Sequence, residues 1–194
     1  MNFINDLPRG SCTFANEDGK RVMHGFYQAW KGMRFRTKDI YKDATVCDEW
    51  RTLSKFKEWF DGHFIEGYQL DKDLMSATMP EKLYSPETCV YIPRELNLLF
   101  TDRGALRGDL PMGVNWVNRE RYGKNRFRAA IQAYSKTTYI GCYSTPEEAH
   151  AAYRKAKLAY CRQLAADWLG KVELKAIERV LYHAVRLFGD DQND

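Results

Sequence analysis

Residues 113–160 read GVNWVNRERYGKNRFRAAIQAYSKTTYIGCYSTPEEAHAAYRKAKLAY. Three short runs come first, Val114 to Asn118, Arg126 to Tyr134 and Thr138 to Tyr143. Turn-prone residues separate them: Tyr122-Gly123-Lys124-Asn125 and Ser135-Lys136-Thr137. A long helical pattern then opens at Ser144-Thr145-Pro146-Glu147-Glu148. This order predicts a three-stranded antiparallel sheet followed by a helix. The middle run alternates. Phe127, Ala129, Ile131 and Ala133 point one way, toward the helix, and Arg126, Arg128, Ala130 and Gln132 point the other. Guanidiniums and an amide on an open sheet face suit phosphates and guanine edges in a DNA groove.

Charge agrees with that reading. Between Arg103 and Arg162 there are 12 Lys and Arg against 4 Asp and Glu, an excess of +8, while the whole chain is only +4. A basic block in a nearly balanced chain is the footprint of a nucleic-acid module.

The segment resembles the ethylene-response-factor (APETALA-type) DNA-binding domain of plants. The resemblance rests on Gly113-Val114, on Arg126-Phe127-Arg128-Ala129-Ala130-Ile131, on Tyr139-Ile140-Gly141-Cys142-Tyr143, and on Thr145-Pro146-Glu147-Glu148-Ala149 with Ala152-Tyr153. It implies a sheet lying in the major groove of double-stranded DNA, braced by the helix. By position, the DNA-facing residues it implies are Asn115, Arg119, Arg126, Arg128, Gln132 and Tyr139. Asn115 and Thr137 replace usual arginines and Ala130 a usual glutamate, so the base sequence read by plant members does not carry over.

Outside this segment the chain is globular in composition, 44% hydrophobic and 14% aromatic over 194 residues, too apolar for a disordered chain. No apolar run is long enough to span a bilayer, and Met1 to Arg9 lacks a signal-peptide core, so a cytoplasmic protein without a membrane partner is expected. Cys12, Cys47, Cys89, Cys142 and Cys161 are odd in number and contain no CxxC pair, which argues against structural zinc and a disulfide framework.

The N-terminal half predicts a helix over Val22 to Arg36 and a second through Leu53, Phe56, Trp59 and Phe60, for which Ser54 is a candidate cap. These aromatics read as core. Tyr68 to Leu74 predicts a strand, Cys89 to Ile92 a strand or turn, and Pro93 to Phe100 a short helix. A strand pair plus a helix is the layout of the ββα-metal fold. The half resembles the HNH-like part of phage proteins that pair such a unit with an APETALA-type domain, many of them homing endonucleases. The likeness is carried by Asp48-Glu49-Trp50, Leu70-Asp71-Lys72-Asp73, Tyr84 to Cys89 and Pro93 to Asn97.

That resemblance implies hydrolysis of DNA phosphodiester bonds with a divalent metal such as Mg²⁺. It implies Asp71, Asp73 and Asn97 as ligands, and Lys72 stands near the general-base position where a histidine is usual. If the strand were regular, Asp71 and Asp73 would project to one side and Lys72 to the other. Lysine titrates near about 10.4 unless strongly perturbed, so Lys72 is a poor base. His63 is the nearby alternative. A catalytically inactive DNA-binding regulator or host-interaction protein is the competing reading.

Beyond the sheet, Pro146 to Trp168 predicts one long helix with an apolar stripe of Ala149, Ala152, Tyr153, Ala156 and Ala159 to Tyr160. Lys171 to Phe188 predicts another, with Leu174, Ile177, Leu181, Val185 and Phe188 on one stripe, to pack back on the domain or support a homodimer. The expected class is α+β: an HNH-like domain at 1–100, a linker at 101–112, the APETALA-type domain at 113–168, and a C-terminal helix with an acidic tail at 169–194.

Overall fold

The computed structural model describes residues 2–40, 43–76, 79, 81–101, 108–117 and 126–189, and it mixes helix and sheet. The chain divides into two compact units, Met1–Pro93 and Arg94–Asp194.

In the first unit, strands β1 (Thr13–Ala15) and β2 (Arg21–Met23) form an antiparallel ribbon. The ribbon takes Val22, which the helical spacing had claimed, so helix α1 runs from Gly25 to Phe35. Helix α2 (Leu53–His63) packs beside it. Phe26, Trp30, Met33, Trp50, Leu53, Phe56, Trp59 and Phe60 are buried together, as the sequence predicts, but Phe35, at the end of α1 and read as core with them, is exposed. Trp50 and Phe56 meet edge to face at 5.1 Å, and the Trp30 indole donates to the Trp50 carbonyl at 2.8 Å. The expected cap differs. Asp6 accepts from the Ser54 N–H at 3.0 Å and from its hydroxyl at 2.6 Å. A distant carboxylate thus satisfies a donor at the start of α2.

Strand β3 (Ala44–Val46) pairs in parallel with β5 (Lys82–Tyr84). Strand β4 (Gln69–Asp71) pairs antiparallel with β6 (Val90–Ile92), in the register Gln69 to Ile92 and Asp71 to Val90. β4 stops at Asp71 because the chain turns there into a one-turn helix, α3 (Asp73–Ser76). The strand predicted to run to Leu74 is therefore shorter. Helix α4 (Arg94–Asn97) follows β6 and belongs to the second unit, where Phe100 stacks on Phe188 at 6.4 Å.

The second unit contains strands β7 (Val114–Trp116), β8 (Phe127–Ala133) and β9 (Lys136–Tyr143), ordered β7-β8-β9 and antiparallel throughout. The β8–β9 turn is Tyr134-Ser135, both at positive φ, 47° and 61°. It is the mirror-type turn whose twist suits a hairpin. β9 therefore begins two residues earlier than predicted, at Lys136.

Helix α5 (Pro146–Trp168) backs the sheet. Thr145 caps it by accepting from the Glu148 N–H at 3.2 Å, Pro146 occupies the first turn, and Glu148 reaches back to the Ser144 N–H at 3.2 Å. Its buried stripe is Ala149, Tyr153, Lys157, Cys161, Leu164 and Ala165. Ala152 and Ala156 are only half-buried and Ala159 is exposed. Helix α6 (Leu174–Phe188) packs on α5 through Ala176, Ile177, Val180, His183, Ala184 and Phe188. The predicted face differs: Leu174, Leu181 and Val185 are exposed. Small residues at 176 and 184 let the helices approach closely, and that contact wins over the bulkier stripe.

Candidate nucleic-acid interface and a buried carboxylate–lysine cluster

Strand register places the basic residues. Asn115 stands opposite Arg128, Arg128 opposite Cys142, Ala130 opposite Tyr139, and Gln132 opposite Thr137. Partners directly across a ladder share a face. Val114, Ala129 and Ile131 are buried, so Asn115, Arg128, Gln132, Thr137 and Tyr139 all lie on the side away from α5, and all are exposed. A bulge falls between Ala129 and Ala130, where the register skips Ile140. It keeps Tyr139, 57% exposed, on the open face. Thr137 donates to the Gln132 side-chain oxygen at 3.1 Å, which fixes the amide's orientation.

Arg126 precedes β8 and is exposed, and its guanidinium lies 6.0 Å from the Trp116 ring centre. Trp116 is 53% exposed and meets Phe127 edge-on at 4.9 Å. Alternation and register both put Trp116 on the side of Phe127, and it is exposed because β7 ends there, two residues short of the run read as Val114 to Asn118. Arg119 lies outside the described residues. The face thus gathers guanidiniums, amides, a hydroxyl and a phenol ring over about 13 Å of strand from Arg128 to Gln132, at roughly 3.3 Å per residue.

The second constellation is in the first unit. Asp71 is buried at the end of β4, and its Oδ2 accepts from the Leu74 N–H at 2.7 Å, tying strand to α3. Burial pushes its pKa up to about 6. Lys72 is only 3% exposed and donates to Asp73 Oδ1 at 2.8 Å, with the Tyr84 ring 5.3 Å from its ammonium. Lys82 reaches the same oxygen at 3.0 Å. Burial works against ionisation of Asp73, but these two lysines prevail and hold its pKa below the usual value. Arg36 donates to the Tyr84 hydroxyl at 3.0 Å.

This geometry corrects the expectation that Asp71 and Asp73 project together from one strand with Lys72 opposed. Asp73 begins a helix, and Lys72 turns onto it. A divalent cation would have to displace two ammonium groups from Asp73, so the donor set as arranged does not fit one. Among the described residues no group of three His, Cys, Asp or Glu could hold a metal. Asn97, the third expected ligand, lies on α4 in the second unit. His63, the alternative base, stacks on Trp59 at 4.5 Å with its Nδ1 2.7 Å from the Trp59 carbonyl. The five cysteines are free thiols. No helix among the described residues is long and apolar enough to cross a membrane.

No protein-family model, curated protein or solved structure shows significant similarity to the chain.

Proposed function

We propose that the chain binds double-stranded DNA through the open face of β7-β8-β9, as its resemblance to APETALA-type domains implies. The observation that carries this reading is the clustering of Asn115, Arg126, Arg128, Gln132 and Tyr139 at one exposed surface. Arginines there contact phosphates or guanine edges, Asn115 and Gln132 suit adenine edges, and Tyr139 adds ring surface. The test is titration of the full chain with duplex DNA at several salt concentrations. Affinity falls linearly on a log–log plot, with a slope near −0.9 per phosphate neutralised. Absence of binding at low salt overturns the proposal.

Phosphodiester hydrolysis is the second reading, implied by the HNH-like resemblance. Asp71 favours it, because a carboxyl titrating near pH 6 exchanges protons close to neutrality. The double pairing of Asp73 favours the alternative, a DNA-binding regulator that does not cut. Incubation with supercoiled DNA, with Mg²⁺ or Mn²⁺ and with EDTA, separates the two. Metal-dependent nicking abolished by Asp71→Asn supports hydrolysis, and an intact plasmid that is nevertheless bound supports the regulator.

A further inference from the structure

The second unit contains a cleft of about 800 Å³ whose rim includes Asn115 and Gln132 of the proposed DNA face and whose remaining lining the DNA reading does not use. It opens where β7 begins and the edge of β8 continues alone beyond Ala130, with residues of α5 in its lining. Its volume lies in the range of small-molecule sites. The walls include Leu98 and Leu99 on one side and the rings of Tyr153 and Tyr160 on another.

Lys157 lines this cleft and is only 7% exposed. It occupies a position on the apolar stripe of α5 that Ala, Tyr, Cys and Leu fill elsewhere. Its ammonium has neither a hydrogen bond nor an ion pair among the described residues, and it lies 5.6 Å from the centre of the Tyr160 ring. Cys161, one turn on, is held as a neutral thiol by burial, with a pKa near 11. Glu95 also lines the cleft, but it is exposed and makes no ion pair with Lys157. Burial lowers the pKa of Lys157, as expected of an ammonium short of a counterion.

A buried cation without a partner is costly, and an anion entering the cleft relieves that cost. Further donors converge on the same space. The Tyr160 hydroxyl accepts from the Tyr134 N–H at 3.1 Å, leaving its own proton to donate, and Arg94 and Ser135 stand on the wall. The Ala130 N–H is satisfied by Gly113 at 3.1 Å on this edge, and strand alternation aims the Gln132 N–H to the same side.

We propose that this cleft binds a small organic anion, its phosphoryl or carboxylate group on Lys157 and its apolar or aromatic body against Tyr153, Tyr160 and Leu98. The site shares Asn115 and Gln132 with the proposed DNA face, but Lys157, which carries it, is not one of that face's residues, so the inference does not depend on DNA binding.

The experiment uses the full chain with two probes, adenosine monophosphate and benzoate, and their neutral counterparts, adenosine and benzyl alcohol. Binding is measured by calorimetry. Protection of Lys157 from an amine-acylating reagent is read by mass spectrometry on the wild type. The expected result is that at least one anion binds at least tenfold more tightly than its neutral counterpart, and that it protects Lys157. Lys157→Met removes that preference, and without ligand it melts no lower than the wild type because an unpartnered buried charge is gone. The phosphate and carboxylate arms identify the head group.

Equal binding of the neutral compounds overturns the proposal. So does failure of both anions to protect Lys157, and if duplex DNA protects it instead, Lys157 belongs to the nucleic-acid surface. The protection measurement decides even if the methionine variant does not fold.

Discussion

The ring of Tyr153 lies against Gly113 so closely that a Cβ at position 113 would stand 2.0 Å from the tyrosine Cδ2. Gly113 also has φ +79°, and its carbonyl accepts from the Ala130 N–H at 3.1 Å. One contact therefore sets how α5 seats under the start of β7. Gly113→Ala combines a left-handed backbone with a clash against a buried ring, and should destabilise the protein by about 2–4 kcal/mol. Urea unfolding followed by circular dichroism checks this, and an unchanged midpoint would mean that Tyr153 has room to move.

Arg128 lies opposite Asn115 on the open face, and Arg126 lies beside Trp116. If either arginine reads a guanine edge, its replacement by alanine should weaken preferred duplexes by on the order of 1–3 kcal/mol and relax sequence preference. A phosphate contact would weaken all duplexes alike and reduce the salt slope by about 0.9. Binding to a panel of duplexes at several salt concentrations distinguishes the two. A folded double variant that binds like the wild type would show that the face is not the contact surface.

The hairpin turn should tolerate change at one position and not the other. Ser135 is exposed with φ 61°, a conformation that a glycine adopts freely, so Ser135→Gly should stabilise by about 0.5–1 kcal/mol. Tyr134 has φ 47°, but its hydroxyl donates to Asp167 at 2.6 Å and its ring meets Tyr160 edge-on at 5.2 Å. Tyr134→Gly loses both and should destabilise despite the relieved backbone. Thermal midpoints of the two variants should move in opposite directions.

Asp71 should make stability depend on pH in a defined window. Its pKa rises from 3.8 to about 6 on folding, so the folded state binds the proton more tightly. The contribution is fully present below pH 3.8 and is lost as the pH rises through about 6, by roughly 2–3 kcal/mol. Asp71→Asn retains an oxygen to accept from Leu74 and does not titrate. Comparing chemical denaturation of the two proteins from pH 4 to pH 8 should show the wild type losing ground to the variant as pH rises and then levelling. A constant difference would mean that burial does not perturb this carboxyl.

Much of the second unit was legible because its determinants are local. Alternation in Phe127 to Ala133 put Arg128 and Gln132 on one face, and the Thr145-Pro146-Glu148 start of α5 is a short-range capping pattern. Arg128 and Gln132 followed from period two, whereas Asn115 and Tyr139 were expected from the resemblance, and a bulge in β8–β9 places Tyr139. The exposed face of α6 was misread because two apolar stripes lie on the same helix, and only the packing of Ala176 and Ala184 on α5 selects between them.

In the first unit, the sequence by itself pointed to the aromatic core and the strand near Leu70, and left Cys89 to Ile92 open between strand and turn, which the structure resolves as β6. It could not show that β4 stops at Asp71. That depends on the Leu74 N–H finding the Asp71 carboxylate, and on Lys82, brought in by β5, sharing Asp73 with Lys72. Lys157 is the same case in the second unit: a lysine on an amphipathic helix reads as solvated until the neighbouring sheet edge encloses it. Local periodicity determines which residues share a face. What each charge meets there is decided by segments distant in sequence, and only the tertiary structure brings those together.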